Sequence, residues 1–155
     1  MMATTDRMAT RAPVLTRDGR AWVRARQARI GARLDQIAAE LAAERSEDLL
    51  RERWQLTEQA DELAKLLDQA VAPQDVRDDP TIVELGDEVE VELPDGSRES
   101  FLIVHPVEAV MDEHRTSSEA PLAKAVLGRR PGDRVTVETP AGVYGCTIIR
   151  RDRID

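Results

Sequence analysis

The sequence predicts an α+β protein, in which an N-terminal antiparallel α-helical coiled-coil hairpin precedes a small antiparallel β-sheet domain with one short helix. Three observations predict this class. Over residues 15–72, apolar residues recur mostly at alternating steps of four and three, the spacing of a helix that buries one narrow stripe. Residues 73–80 hold two prolines and three aspartates, which predicts a linker. Over residues 81–155 the apolar period changes to two, as in strands.

Two helical arms are predicted within residues 15–72. Their apolar seams consist of Trp22, Ile30, Leu34, Ile37 and Leu41 in the first arm and Leu49, Leu56, Ala60, Leu63, Leu67 and Ala70 in the second. The phase breaks near Ser46, a favourable N-cap residue. Folding the arms together covers both seams, whereas one continuous helix would leave its stripe bare unless the protein dimerised. A free homodimeric coiled coil that serves as a scaffold is therefore the alternative architecture.

Four carboxylates lie within nine residues at the predicted bend of the hairpin: Glu44, Glu47, Asp48 and Glu52. Helix amides favour negative charge in a first turn, and one or two carboxylates would be enough for that purpose. The excess predicts an acidic tip near residues 44–48, far from any core. Capping and solubility alone are the competing interpretation.

The β region is predicted element by element. Strands are expected at residues 88–93, 101–105, 135–138 and 143–149. Residues 121–127 predict a short amphipathic helix closed by Gly128, and residues 107–114 fit a short helix or a further strand. The segment Gly86-Asp-Glu-Val-Glu-Val-Glu-Leu-Pro-Asp-Gly96 matches Gly132-Asp-Arg-Val-Thr-Val-Glu-Thr-Pro-Ala-Gly142 at seven of eleven positions, which predicts two hairpins of one design.

Composition limits the possible settings of this chain. The 155 residues carry a formal net charge of −8, which disfavours a protein that acts by binding nucleic acid alone. Cys146 is the only cysteine, so no internal disulfide forms and a reducing compartment fits best. No apolar run approaches the roughly 18 residues of a membrane span. We therefore expect a cytoplasmic protein without membrane contact, with residues 1–14 as a disordered tail.

One long run carries a resemblance to a known family. The segment Ser118-Glu-Ala-Pro-Leu-Ala-Lys-Ala-Val-Leu-Gly-Arg-Arg-Pro-Gly-Asp-Arg-Val-Thr-Val-Glu-Thr-Pro-Ala-Gly142 resembles the signature of the bacterial GreA/GreB transcript-cleavage factors. It matches their Ser-Pro-Leu, Leu-Leu-Gly-Lys-Lys, Gly-Asp and Val-Glu-Thr-Pro-x-Gly elements. Leu15, Thr16 and Gly19 are also similar to the family's entry into the first helix.

The resemblance implies a partner and a way of docking. A coiled coil over residues 15–72 would enter the secondary channel of RNA polymerase, and an FKBP-like domain over residues 81–155 would dock at the channel rim. The implied polymerase-binding residues are Ala120, which replaces the family's serine, Pro121 and Leu122. Arg26 and Arg29 resemble a basic patch near the nascent RNA 3′ end, against a default of plain solvation.

The implied chemistry concerns the tip. In cleaving members the tip reads Asp-x-x-Glu followed by Asn, whereas here Glu44 and Glu47 keep the three-residue spacing and Asp48 and Glu52 form a rival pair. Cleavage would require Glu44, Glu47 and Asp48 to complete a weak Mg²⁺ site shared with the polymerase active centre, within about 0.5 Å of productive geometry. The arms are shorter than in cleaving members, which favours occlusion of the channel over catalysis.

The sequence therefore predicts a Gre-type regulator that inhibits transcription, with stimulation of transcript cleavage as the alternative. It is predicted to be no enzyme itself, to need no cofactor of its own and to be a monomer when free. A prolyl isomerase is disfavoured, because Phe101 and Tyr144 are the only aromatic residues of the β region.

Three other residue types receive structural interpretations. His105 and His114 lack the spacing of a zinc site, and Cys146 is predicted to fill a core. Trp54 is predicted to pack against the hairpin, with exposure for polymerase contact as the alternative.

Overall fold

The structure, a computed structural model, describes residues 12–77 and 79–153. Residues 1–11, most of the predicted tail, lie outside the described residues. We call residues 12–72 the rod and residues 79–153 the sheet domain. Within the described part of the chain, neither long helix has a stretch apolar enough to span a bilayer.

Two long helices form the rod. Helix α1 spans Arg17–Ala43 and helix α2 spans Glu47–Gln69, which gives lengths of about 40 Å and about 35 Å. Thr16 caps α1 and Ser46 caps α2, each hydroxyl oxygen accepting a hydrogen bond from the amide three residues later, at 3.0 and 3.3 Å. The predicted N-cap at Ser46 is confirmed.

The two helices run antiparallel. At the base of the rod, Arg20 Nη2 donates a hydrogen bond to the carbonyl of Ala70 at 3.0 Å. Closer to the bend, Arg33 Nε donates to Glu52 Oε2 at 2.7 Å. Because one continuous helix would hold each of these pairs far apart, the hairpin prediction is confirmed.

The apolar seam follows the prediction with one shift. Ile30, Ile37 and Leu63 are buried between the helices, as expected. At the start of α1, however, the fully buried residue is Val23, and the predicted Trp22 packs at the edge of the same cluster. Trp22 lies about 100° around the helix axis from Val23, which places it at the edge of the seam.

Residues 12–14 correct the prediction of a disordered tail up to residue 14. Val14 is buried and forms a parallel bridge with Val71. The Leu15 amide donates to the Val71 carbonyl, and the Val71 amide donates to the Pro13 carbonyl, both at 3.0 Å. The pairing satisfies backbone groups across the base of the rod, with a partner that local sequence does not reveal.

The predicted linker, residues 73–80, begins with a packed turn. Pro73–Val76 forms the short helix α3, and Pro73 is buried. Gly86 lies against it with φ +95°, and a Cβ atom at Gly86 would approach the Pro73 Cβ to 2.8 Å. Glycine is therefore required at this contact for space as well as conformation.

The sheet domain contains one five-stranded sheet in the order β3-β2-β1-β5-β4. Its elements are β1 Asp87–Glu92, β2 Arg98–Val104, β3 Arg115–Ser117, α4 Pro121–Val126, β4 Arg134–Thr139 and β5 Gly142–Arg153. Neighbouring strands are antiparallel except β2 and β3, which are parallel. The predicted α+β class is confirmed, with the correction that the sheet is mostly rather than wholly antiparallel.

The undecided segment, residues 107–114, forms turns rather than a helix or a strand. Strand β3 follows it and pairs with β2 alone. Its three residues, Arg115-Thr-Ser, have no apolar alternation. The strand depends on a long-range parallel pairing, so its sequence gives no strand signal.

The repeated segments do form matching hairpins. Gly86 and Gly132 have φ values of +95° and +94°, and each amide donates at 2.7 Å to a carbonyl in the second strand of its hairpin, Ile103 in β2 and Ile148 in β5. Asp87 and Asp133 each accept a hydrogen bond from the amide three residues earlier, at 2.8 and 2.9 Å. The internal repeat thus encodes the entry into β1 and β4.

The core of the sheet domain lies between the sheet and α4. Val126 of α4 packs with Val89, Ile103 and Ile148 of the strands, all fully buried. Cys146 is 2% exposed in the same core, as predicted, and burial raises the pKa of its thiol. This core holds α4 through Leu122, Ala123 and Val126, next to the start of the helix where docking was predicted.

Candidate functional site

The bend of the hairpin occupies three residues, 44–46. Glu44 ends α1 in an extended conformation, with its amide donating to the Glu40 carbonyl at 3.0 Å. Ser46 caps α2, so Glu47 and Asp48 fall in the first turn of that helix. All three carboxylates are exposed. We call Glu44, Glu47 and Asp48 the acidic tip; the structure brings them to the distal end of the rod, as predicted.

Arginines accompany two of the three tip carboxylates. Arg45 Nη2 lies 3.3 Å from Glu47 Oε1, and Arg51 Nη1 lies 3.6 Å from Asp48 Oδ1. These pairs are solvent-exposed and therefore weak, because water and salt screen them. Glu44 forms no ion pair with any described residue, so its carboxylate is the one most available to a partner.

Glu52 does not belong to the acidic tip. Its two carboxylate oxygens accept hydrogen bonds from Arg33 Nε and Nη2 at 2.7 and 2.8 Å. This bidentate pair lowers the pKa of Glu52. Glu52 therefore links the two arms along the flank of the rod, and the predicted rival pair of Asp48 and Glu52 is wrong.

The acidic tip does not assemble a metal site by itself. Within residues 12–77 and 79–153, no three His, Cys, Asp or Glu side chains are placed to hold a metal ion. Glu44 precedes the cap while Glu47 and Asp48 follow it, and the latter two face arginines. This donor set does not fit a resident Mg²⁺ ion, which prefers near-octahedral oxygen ligation.

The predicted docking residues lie at the start of α4. Ala120 is the N-cap residue and forms no side-chain cap, since it lacks the hydroxyl that a serine would supply. Pro121 is exposed at the first helical position, and Leu122 packs against the sheet core. The three residues therefore form a corner at the start of α4 in which Pro121 is the most accessible.

Arg26 and Arg29 are both exposed on α1. The Arg26 guanidinium lies 5.8 Å from the centroid of the Trp22 ring, a cation–π contact. Arg26 is about 27 Å along the helix from Glu44, so the structure does not bring this basic face to the acidic tip. A role near RNA stays a prediction.

The two histidines have separate local partners. His105 Nδ1 accepts a hydrogen bond from the Val107 amide at 3.1 Å, and His114 Nε2 lies 3.1 Å from Glu88 Oε2. Burial lowers the pKa of His105, against the opposing charges of Glu108 and Glu119.

Trp54 corrects a sequence prediction. Its side chain is 63% exposed rather than packed against the hairpin. It lies two residues before the seam residue Leu56, about 200° around the helix axis. The spacing of Trp54 from the seam already indicated an exposed position. The structure supports the alternative prediction, exposure of Trp54.

The C-terminal half of the chain matches a known protein family. The family model described as "Transcription elongation factor, GreA/GreB, C-term" matches residues 78–150, which include the sheet and the α4 corner. Residues 78–150 therefore belong to the C-terminal domain family of the GreA/GreB factors. The matched residues include both copies of the hairpin repeat, Gly128 and the predicted docking residues.

Curated relatives agree with this Gre-family assignment. Transcription elongation factor GreA of Geobacillus kaustophilus is 43% identical over 81 residues, 52% of this chain and 51% of that protein. Transcription elongation factor GreA of Oceanobacillus iheyensis is 42% identical over 82 residues, 52% of each chain. This chain thus spans about half the length of the curated relatives it matches.

Two solved structures were matched over most of the chain, with TM-scores below 0.5. The GreA factor homolog 1 (Gfh1) protein of Thermus thermophilus is 28% identical, with 91% of this chain and 99% of that chain covered and a TM-score of 0.40. Gfh1 of Thermus aquaticus is 26% identical, with 92% and 99% covered and a TM-score of 0.42.

Proposed function

We propose that this protein is a Gre-type transcription regulator that binds bacterial RNA polymerase at the rim of the secondary channel and inhibits transcription by inserting the acidic tip. The observation that carries the proposal is the position of the three exposed carboxylates, at the far end of a rod about 35–40 Å long. Family membership supports RNA polymerase as the partner. The protein is proposed to act in the cytoplasm, where that partner works.

The sheet domain is the proposed docking element. The family match covers this domain, and in the corner of Ala120, Pro121 and Leu122 the last residue packs against the sheet core. An exposed proline at a helix start offers apolar area at little entropic cost, because its backbone is already fixed. Trp54, exposed on α2 nearer the bend, would contact the channel wall once the rod has entered.

Occlusion requires less of the tip than catalysis does. Shared-metal catalysis needs carboxylates held within about 0.5 Å of productive geometry. Here Glu44 is at a helix end, and Glu47 and Asp48 each face an exposed arginine. A mixed cluster of this kind fills a channel and repels incoming nucleotide phosphates without any fixed ligand geometry.

Arg26 and Arg29 are proposed to face phosphate groups of the nascent RNA near its 3′ end. Both are exposed on α1, and the Trp22 contact holds the Arg26 guanidinium at the helix surface. We also propose a monomer for the free protein, because the hairpin covers its own apolar seam. Charge reversal of both arginines that left regulation intact would remove the RNA contact, and sedimentation as a compact dimer would remove the monomer.

Transcript length in stalled elongation complexes tests the proposal. The wild-type protein is expected to slow RNA synthesis without shortening transcripts. The variant Glu44→Gln/Glu47→Gln/Asp48→Asn should lose most of this inhibition, because it removes the tip charge. A matched control, Glu58→Gln/Asp61→Asn/Glu62→Gln, removes the same charge from exposed positions on α2 away from the bend and should inhibit as wild type does.

One outcome would favour the alternative function. The unpaired Glu44 carboxylate and its three-residue spacing to Glu47 are the features that favour stimulation of transcript cleavage. Shortened transcripts that disappear in Glu44→Gln or Glu47→Gln would overturn the inhibitor proposal and establish that alternative.

A further inference from the structure

Glu108 is a fully buried carboxylate in the turns between β2 and β3. Its Oε2 accepts a hydrogen bond from the Thr16 amide at 2.8 Å, and its Oε1 accepts one from the Thr16 hydroxyl at 2.5 Å. The same hydroxyl oxygen accepts the Gly19 amide at 3.0 Å. The sheet domain thus completes the N-terminal cap of α1.

This contact is the hydrogen-bonded connection between the rod and the sheet domain in the described part of the chain. Within residues 12–77 and 79–153, the hydrogen bonds from the rod to the sheet domain both end on Glu108. Arg115 adds charge beside it, with Nη2 3.6 Å from Asp18 Oδ2 and Nε 4.0 Å from Glu108 Oε1. Val107, the residue before Glu108, packs against the apolar cluster of the rod.

Space for the carboxylate exists because residue 19 is glycine. A Cβ atom at Gly19 would lie 1.9 Å from the Glu108 Cδ, an impossible overlap. The other glycine of α1, Gly31, has nothing within 4 Å of its Cβ position. Both glycines lie inside the helix, so alanine fits the backbone at each and only the steric result differs.

We propose that Glu108 is the positioning residue that fixes the direction of the rod relative to the sheet domain. Two hydrogen bonds from one residue to both carboxylate oxygens resist rotation as well as separation, and a helix N-terminus favours the negative charge. The Gly19 and Thr16 positions on α1 serve this contact. This role of Glu108 in the free protein does not depend on a binding partner.

The functional consequence rests on the proposed function. A tilt of about 10° at the base displaces a tip about 40 Å away by about 7 Å. A loosened joint would therefore carry the acidic tip away from the direction set by the docked sheet domain. Glu108 thereby determines whether the tip reaches the channel.

Distance measurements between spin labels test the inference. Labels are placed on Arg45→Cys at the bend and Val143→Cys, an exposed position of the sheet domain, in a Cys146→Ala background. The labelled parent should give one narrow distance distribution. Gly19→Ala and Glu108→Ala should each broaden it and shift its maximum, whereas Gly31→Ala should leave it unchanged. An unchanged narrow distribution in both Gly19→Ala and Glu108→Ala would overturn the inference.

Loss of folding is separated from loss of positioning by milder variants. Thr16→Ser keeps the hydroxyl and should retain the narrow distribution, while Thr16→Val removes it and should broaden the distribution. Far-ultraviolet circular dichroism of each variant checks that helix content is retained. Equal distributions for Thr16→Ser and Thr16→Val, with helix content intact in both, would contradict the role assigned to this contact.

Polymerase assays on the same variants keep the two proposals apart. If Gly19→Ala broadens the distances and also weakens inhibition, both proposals are supported. If it broadens the distances while inhibition stays at the wild-type level, the positioning of the rod stands and its link to the proposed function fails. If inhibition falls with no change in distances, the positioning proposal alone fails.

Discussion

Individual carboxylates near the bend have different roles because of where α1 ends and α2 begins. Glu44, Glu47 and Asp48 are exposed around the bend, whereas Glu52, one turn further along α2, is held by Arg33. In the sequence all four look alike, because charge density does not report which face of a helix a residue occupies. Only the position of α1 beside α2 distinguishes Glu52 from the other three carboxylates.

His105 provides a residue-scale prediction about pH. Burial lowers its pKa, so between that value and the ordinary value near 6.5 the unfolded chain binds more protons than the folded one. The contribution of His105 to the free energy of unfolding should therefore be complete above about pH 7.5 and should decrease as the pH falls below about 6.5. His105→Asn keeps an acceptor for the Val107 amide but does not titrate.

Urea unfolding between about pH 8 and about pH 5.5 measures this effect. The decrease in unfolding free energy should be smaller in His105→Asn than in the wild type. Identical pH dependence in the two proteins would show that burial of His105 makes no contribution.

At the scale of elements, Ser46 determines where the hairpin bends. Ser46→Ala should lower the free energy of unfolding by about 1 kcal/mol, because the Leu49 amide loses its capping partner. Thr57→Ala is the matched control, since Thr57 Oγ1 donates only to the carbonyl of Arg53 in the middle of the same helix. Urea unfolding of the two variants checks the difference, and an equal effect of both would contradict the capping role.

Local signals account for the elements that the sequence predicts well. Ser46, Gly128 and the repeated Gly-Asp pairs act on backbone groups within a few residues, so their effects are readable directly. Strand β3 and the bridge of Val14 with Val71 depend on partners distant in the chain. No pattern within either segment identifies that partner.

At the scale of the whole molecule, the acidic tip and the proposed docking corner lie at opposite ends of the rod, and Glu108 hydrogen-bonds the base of the rod to the sheet domain. The sequence predicted the position of the tip, because the tip is a local cluster of carboxylates, and docking at the corner stays a prediction. It did not predict the joint, because Glu108 lies in a segment without periodicity and its partner Thr16 precedes it by most of the chain. The direction of the rod is therefore a property of the tertiary structure alone.

Site-specific photocrosslinking to RNA polymerase tests the central claim most directly. A photoreactive side chain replaces Arg45 at the bend, and in a second protein it replaces Lys124, which is exposed on α4. The account predicts that position 45 crosslinks to the interior of the secondary channel and that position 124 crosslinks to its rim. Crosslinks from position 45 to the outer surface of the polymerase, or to none of it while position 124 still reacts at the rim, would contradict the account.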